Sequence, residues 1–234
     1  MTRRWSAVRL ATAVVLTAWA AMFWFLLMTG RTSLYLSSRT AWLVPVGAGL
    51  LSIAAGGRLA SARVEQPDPL AARDAVVLGA IALPVVILLA MPPLTLGTYA
   101  VGRRASFAGS GIGASARTVS GPLDFVDIGA AQSFDPAMQQ LTKRAGEELV
   151  LDGFVDHQSG LPPDEFRLTR FIVTCCTADA TIAQVRIVGA PPAAFANDDW
   201  VRVTGRMYPL GREVFVAAES VTPIAPPDDP YLTP

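Results

Sequence analysis

The stretch VRLATAVVLTAWAAMFWFLLM, residues 8–28, carries a single charged side chain, Arg9, in an otherwise apolar run whose second half is aromatic (Trp19, Phe23, Trp24, Phe25). A helix needs about 20 such residues to cross roughly 30 Å of hydrocarbon. Arg9 sits near the edge, where a long basic side chain reaches the interface. Two further apolar stretches follow, residues 40–57, ended by Arg58, and residues 75–96, which hold Pro84 and then Pro92-Pro93. Proline is tolerated in a spanning helix because neighbours re-satisfy the freed carbonyl. A cleavable signal peptide is the competing reading of residues 1–30, since Arg3, Arg4 and Arg9 give it a positive start. The apolar run is too long for that, and no small-x-small site follows Met28. Residues 1–97 therefore read as an α-helical membrane anchor of three transmembrane helices.

Composition agrees. Of 234 residues, 52% are hydrophobic and 16% charged, and the mean hydropathy is +0.41, whereas a soluble domain carries about a quarter charged residues. The excess lies in residues 8–96; beyond residue 98 the sequence reads as an ordinary soluble one. A formal net charge of zero gives no basic field for nucleic acid. Within the three stretches no Asp, Glu, Lys or His marks an ion or proton path, so transport by this chain alone is not expected.

Arginines in the flanks bear on orientation. Arg3, Arg4, Arg9, Arg58, Arg63 and Arg73 fall on one side, against Arg31, Arg39, Arg103 and Arg104 on the other. That majority favours an internal N-terminus and an extracytoplasmic C-terminal domain in a multi-pass protein of the cell membrane. Ala48, Ser52 and Gly56 recur every four residues and share one helix face, where small side chains let another helix approach. The alternative is a chain generally rich in Ala and Gly.

Residues 98–131, with the run Ala108-Gly109-Ser110-Gly111-Ile112-Gly113-Ala114-Ser115, have the composition of a flexible linker. Asp135-Pro136 then offers an N-cap and first-turn pair for a short helix ending near Gly146. In the last segment, 132–234, the period changes to two. Strands are expected over 149–155, 166–174, 182–188, 200–207 and 213–221, divided by Gly160-Leu161-Pro162-Pro163, Pro191-Pro192, Asn197-Asp198-Asp199 and Pro209-Leu210-Gly211. Five short strands, with Gly153 and Gly205 where strands must bend, indicate a small all-β domain: an OB-like five-stranded barrel, with a small open sandwich as the alternative. OB barrels that take nucleic acid present stacked aromatics and a basic groove. Here Phe166 and Phe171 read as core, and acidic residues interleave with Arg167, Arg170 and Arg186. Nucleic acid is not an expected partner.

Three pieces of this domain, Phe171-Ile172-Val173-Thr174-Cys175-Cys176-Thr177-Ala178-Asp179, then Asp198-Asp199-Trp200-Val201-Arg202-Val203-Thr204-Gly205, then Pro227-Asp228-Asp229-Pro230-Tyr231, together with the order spans, linker, domain, resemble the YcgQ-like family of bacterial permease subunits. The resemblance implies an accessory subunit of a membrane permease complex, paired with a YcgR-like multispanning permease and linked to metal or small-solute transport. Some relatives carry a His-rich loop between the second and third spans; residues 58–74 here contain no histidine.

Cys175, Cys176 and Asp179 form the one constellation with distinctive chemistry. Thiolates hold soft or borderline cations such as zinc or copper(I), and a nearby carboxylate completes a shell. Adjacent residues of a strand point to opposite faces, so a shared site requires the backbone to turn there. Alternatives are a vicinal disulfide in an exported domain, or a packed thiol beside an Asp179 that caps a turn. These leave three functions: permease subunit, membrane-tethered metal- or ligand-binding protein, or thiol-redox protein. His157 reads as a solvated strand end, and Asp198-Asp199 as an acidic turn. No phosphate-binding loop, nucleophile elbow or two-His zinc helix occurs, so no enzyme is expected.

Overall fold

The computed structural model describes residues 4–65, 69–91, 95–104, 106, 121–157, 161–190 and 195–234. The chain divides into two compact units, Met1–Leu94 and Thr95–Pro234.

The first unit runs β1 (Arg4–Trp5), α1 (Ala7–Met28), a 3-10 turn (Arg31–Leu34), α2 (Leu43–Ala60), β2 (Arg63–Val64) and α3 (Ala72–Ala90). All three α-helices are long and apolar enough to cross a membrane. Two boundaries differ from the sequence expectation. α2 starts at Leu43 rather than residue 40, because Thr40 and Ala41 are engaged in a turn on the Ser37 carbonyl, and it continues through Arg58, whose charge suits a helix C-terminus. α3 ends at Ala90, well before Leu96. Met91 is extended, with ψ 136°, as expected of a residue that a following proline excludes from the helix. Inside α3, one turn ahead of Pro84, the Ile81 carbonyl accepts the Trp19 indole N–H at 2.9 Å. α1 and α2 pack closely where a Cβ on Gly47 would stand 2.9 Å from a Phe23 ring carbon. β1 pairs antiparallel with β2, and the Arg63 guanidinium lies 4.6 Å from the centre of the Trp5 ring. The start of α1 and the end of α2 are thereby tied together.

The second unit runs α4 (Thr98–Val101), α5 (Phe125–Ser133), α6 (Asp135–Lys143), β3 (Glu148–Asp156), β4 (Glu165–Ile172), β5 (Thr181–Val188), β6 (Trp200–Leu210), β7 (Glu213–Pro223) and β8 (Tyr231–Leu232). The sheet order β3-β6-β7-β5-β4 is closed by a further β3–β4 pairing. All neighbours are antiparallel except β5 and β7. This is the OB-like five-stranded barrel expected from the strand pattern. Closure depends on two glycines. A Cβ on Gly153 would stand 2.9 Å from the Thr169 carbonyl, and one on Gly205 would overlap the Ala217 carbonyl; Gly205 also sits at a register shift in the β6–β7 ladder. Alternate residues, including Leu151, Val155, Leu168, Ile187, Val203 and Val216, fill the interior. A second apolar cluster unites Phe154, Phe171, Val173, Trp200 and Tyr231.

Two parts of the stretch 98–131 are ordered, contrary to its expected use as a linker. The Asp124 carboxylate caps α5 by accepting the Asp127 N–H at 2.7 Å, and Phe125, Val126, Ile128, Ala130 and Ala131 enter the barrel core. Gln132 fixes the helix to β5 by donating to the Gln184 carbonyl at 3.1 Å. Ahead of it, Leu96 N–H donates to the Tyr231 hydroxyl, and Thr98 donates twice to the Asp198 carboxylate. The run 108–115 lies outside the described residues. α6 departs slightly from expectation: Phe134 is its N-cap, and Asp135 and Pro136 fill its first turn. β8 is an addition, pairing parallel with β4 at Phe171 and Ile172.

Because Phe125, Val126 and Ile128 are almost fully buried, a fragment starting at residue 132 loses roughly 1.5–3 kcal/mol for each of the three side chains. A typical domain is stable by only about 5–15 kcal/mol. Thermal melts are expected to show a cooperative transition for a fragment starting at residue 95 and a much lower one, or none, for residues 132–234.

Candidate functional site

Beyond Ile172 the chain keeps one more bond to β8, from Val173 N–H to the Leu232 carbonyl at 2.8 Å; it then bends at Thr174 and Cys175, and Thr177–Asp179 wind into one 3-10 turn before β5. Asp179 organises this bend. Its Oδ1 accepts the Thr174 N–H at 3.1 Å and its Oδ2 the Cys175 N–H at 2.8 Å, while its own N–H donates to the Cys176 carbonyl at 3.0 Å. The Arg104 guanidinium holds the Ala178 carbonyl at 2.6 Å, and the Thr181 hydroxyl donates to the Ile172 carbonyl at 3.3 Å.

The bend brings the two thiols to one place. Cys175 is exposed and Cys176 half-buried, neither is in a disulfide, and their sulfurs stand 3.7 Å apart. Asp179 adjoins them but its carboxylate faces the turn's backbone N–H groups. Burial alone would raise the Asp179 pKa; hydrogen bonds from the Cys175 thiol and from the backbone N–H groups of Cys175, Thr174 and Cys176 outweigh it and hold the group below its usual value. The same contact raises the Cys175 thiol to about 11, with Cys176 and burial adding to the effect of Asp179. A thiol that keeps its proton is a poor nucleophile near neutral pH. Among the described residues, no group of three or more His, Cys, Asp or Glu side chains is arranged to hold a metal ion.

Other candidates lie elsewhere. His157 follows β3 where Asp156 faces Arg167, near the start of β4, whereas the cysteines follow its end. Its backbone N–H donates to Asn197 Oδ1 and its Nε2 contacts the Phe195 carbonyl. Asp198, with φ 71°, holds Thr98, and Asp199 accepts the Ala196 N–H. On the β4–β5 pair, Arg167 and Arg186 stand opposite one another but engage Glu213 and Glu165. Phe166 and Phe171 are buried.

The small-residue face of α2 divides. Ala48 is fully buried. Ser52 donates to the Ala48 carbonyl and accepts the Trp24 indole N–H at 3.3 Å. Gly56 has open space where a Cβ would be. Ser52 and Gly56 line an open groove of about 770 Å³ between α1 and α2, together with Ala13, Thr17, Ala21 and Ala55. Gly47, the glycine at the real close approach, has no place in the four-residue pattern. Arg104 likewise gives no sequence signal of its role beneath the cysteine turn.

Residues 131–234 match the family model described as the DUF1980 C-terminal domain; the matched residues begin within α5 and exclude the three apolar helices. No curated protein matches the chain.

Replacing Asp179 with Ala removes the acceptor that keeps the proton on Cys175 and the clamp on the turn. Alkylation of Cys175 at about pH 8, followed residue by residue by mass spectrometry, is expected to accelerate tenfold or more as its pKa falls toward the ordinary thiol range. Stability should fall by about 1 kcal/mol, as for loss of a capping side chain. An unchanged alkylation rate would show that the carboxylate does not hold this proton.

Proposed function

We propose that the chain is an accessory subunit of a membrane permease complex, linked to metal or small-solute transport, with α1–α3 in the bilayer and the barrel outside the cytoplasm. The observation that carries this reading is the groove between α1 and α2, open and lined mostly by small side chains, with Leu10, Val14, Trp24 and Leu59 among them. In a bilayer such a surface favours a partner helix, because close backbone approach gains packing that lipid tails match poorly. Charged residues of the three helices are confined to their terminal turns: Arg9, Arg58, and the Arg73-Asp74 pair. With no polar route offered along these helices, the transport path belongs to the partner, for which the sequence resemblance supplies a YcgR-like multispanning permease.

A second reading, a membrane-tethered extracytoplasmic metal- or ligand-binding protein, draws support from the two adjacent, solvent-accessible thiols. The raised pKa of Cys175 favours this over a thiol-redox protein, because a protonated thiol is a poor nucleophile whereas a bound cation displaces the proton.

Ser52→Leu fills the groove. Its cost to the chain itself is small, roughly the 0.6 kcal/mol of one hydrogen bond between membrane helices. Affinity purification of the full chain from its native membrane is expected to recover a multispanning partner with the parent and severalfold less with Ser52→Leu. Ile53→Leu, on an exposed neighbouring position, should leave recovery unchanged. Equal recovery from all three would place the groove against lipid and the partner on another face, and no multispanning partner recovered with the parent would remove the reading.

The arginine majority, with Arg4 and Arg63 joined through the β1–β2 pair, favours an internal N-terminus. A reporter active only outside the cytoplasm, fused after Pro234, is therefore expected to be active; activity of a cytoplasmic reporter instead would reverse the orientation.

A further inference from the structure

Two neighbouring residues of a regular strand direct their side chains to opposite faces. At the end of β4 that rule fails, because the backbone bends at Thr174 and Cys175 just ahead of the extended Cys176 (φ −153°, ψ 166°), and the sulfurs of Cys175 and Cys176 come within 3.7 Å of each other. We propose that this dithiol is a two-sulfur site for a tetrahedral d10 cation, zinc in the first instance, which it holds while leaving the remaining coordination positions open.

The sulfur separation matches tetrahedral ligation. Two thiolates bound tetrahedrally to zinc at about 2.3 Å are about 3.8 Å apart, and these sulfurs already stand at 3.7 Å. A linear two-coordinate ion requires sulfurs twice the bond length apart, a wider spacing than this turn sets. The frame is also built: the Asp179 carboxylate fixes the N–H groups of Thr174 and Cys175, and Arg104 fixes the Ala178 carbonyl. Asp179 shapes the turn and supplies no metal bond, which distinguishes this site from a three-ligand set of Cys175, Cys176 and Asp179. Each thiol releases its proton to solvent as its sulfur–zinc bond forms, and no electron changes hands. A cation enclosed by four protein ligands is structural; one held by two, on an exposed turn, remains open to water or to donor atoms of another molecule. Such a site suits exchange of the ion rather than storage.

The site does not depend on a permease partner. The test uses the full chain in detergent, reduced, freed of metal and carrying no polyhistidine tag. Zinc alone is titrated against a chromophoric chelator, and cadmium is added as a spectroscopic probe of sulfur ligation. One zinc per chain and a thiolate-to-cadmium charge-transfer absorption are expected. Cys175→Ser and Cys176→Ser should each weaken zinc binding at least tenfold and diminish the absorption, and the double variant should abolish both while keeping the parent's thermal transition. Zinc uptake equal in parent and double variant, or no charge-transfer absorption in the parent, would overturn the site. Zinc uptake by a chain that recovers no membrane partner sustains the site and removes the subunit reading; recovery of a partner by a chain that binds no zinc does the reverse.

Discussion

Closure of the barrel rests on backbone lying against backbone at Gly205 and Gly153. At each, a methyl group would strike a carbonyl of the facing strand, Ala217 or Thr169, so no side chain larger than hydrogen fits without moving a strand. With those approaches available, β6 bends through its register shift and β3 reaches both β6 and β4. The ring then fixes where β4 must end and where the chain must turn back into β5. The position of the cysteine turn is thus a consequence of closure, although neither cysteine contributes to the core.

Around the ring, polar groups are spent on holding peripheral chain in place. Arg170 is the clearest case. Burial pulls its pKa below the usual arginine value, opposed by Asp152 and Asp229. The guanidinium donates to the carbonyls of Asp152 and Asp229 and lies 4.9 Å from the centre of the Trp200 ring, with its Nε left without a partner. A buried cation so placed is weak evidence of stability, but it fixes the C-terminal segment that supplies β8. That segment in turn takes the Val173 N–H at the threshold of the cysteine bend.

The spans were legible because crossing hydrocarbon demands length and apolar composition, which are local properties. The five barrel strands were legible for a similar reason: alternation at Phe166–Ile172 or Thr181–Val188 reflects one inward and one outward face. What escaped depends on partners distant in sequence. Tyr231-Leu232 is too short to read as a strand until β4 is there to pair with it. Phe125–Ser133 did carry a signal, Asp124 as a cap before an apolar turn, but the Gly- and Ser-rich run preceding it masked the change of character. The cysteine pair offers candidate ligands in the sequence, with the difficulty that strand neighbours diverge. The bend that resolves it is set by Asp179, whose alternative role as a turn cap is the one its hydrogen bonds describe.

The segment that follows the third helix has a mechanical meaning. Gly97 approaches so near Asp198 that a Cβ would stand 2.5 Å from Oδ1, and the clasp continues through Thr98 to the same carboxylate and through Leu96 to Tyr231. A pull on the chain ahead of Leu96 therefore loads these bonds before it can reach α5. Asp198 and Tyr231 act as a strain relief.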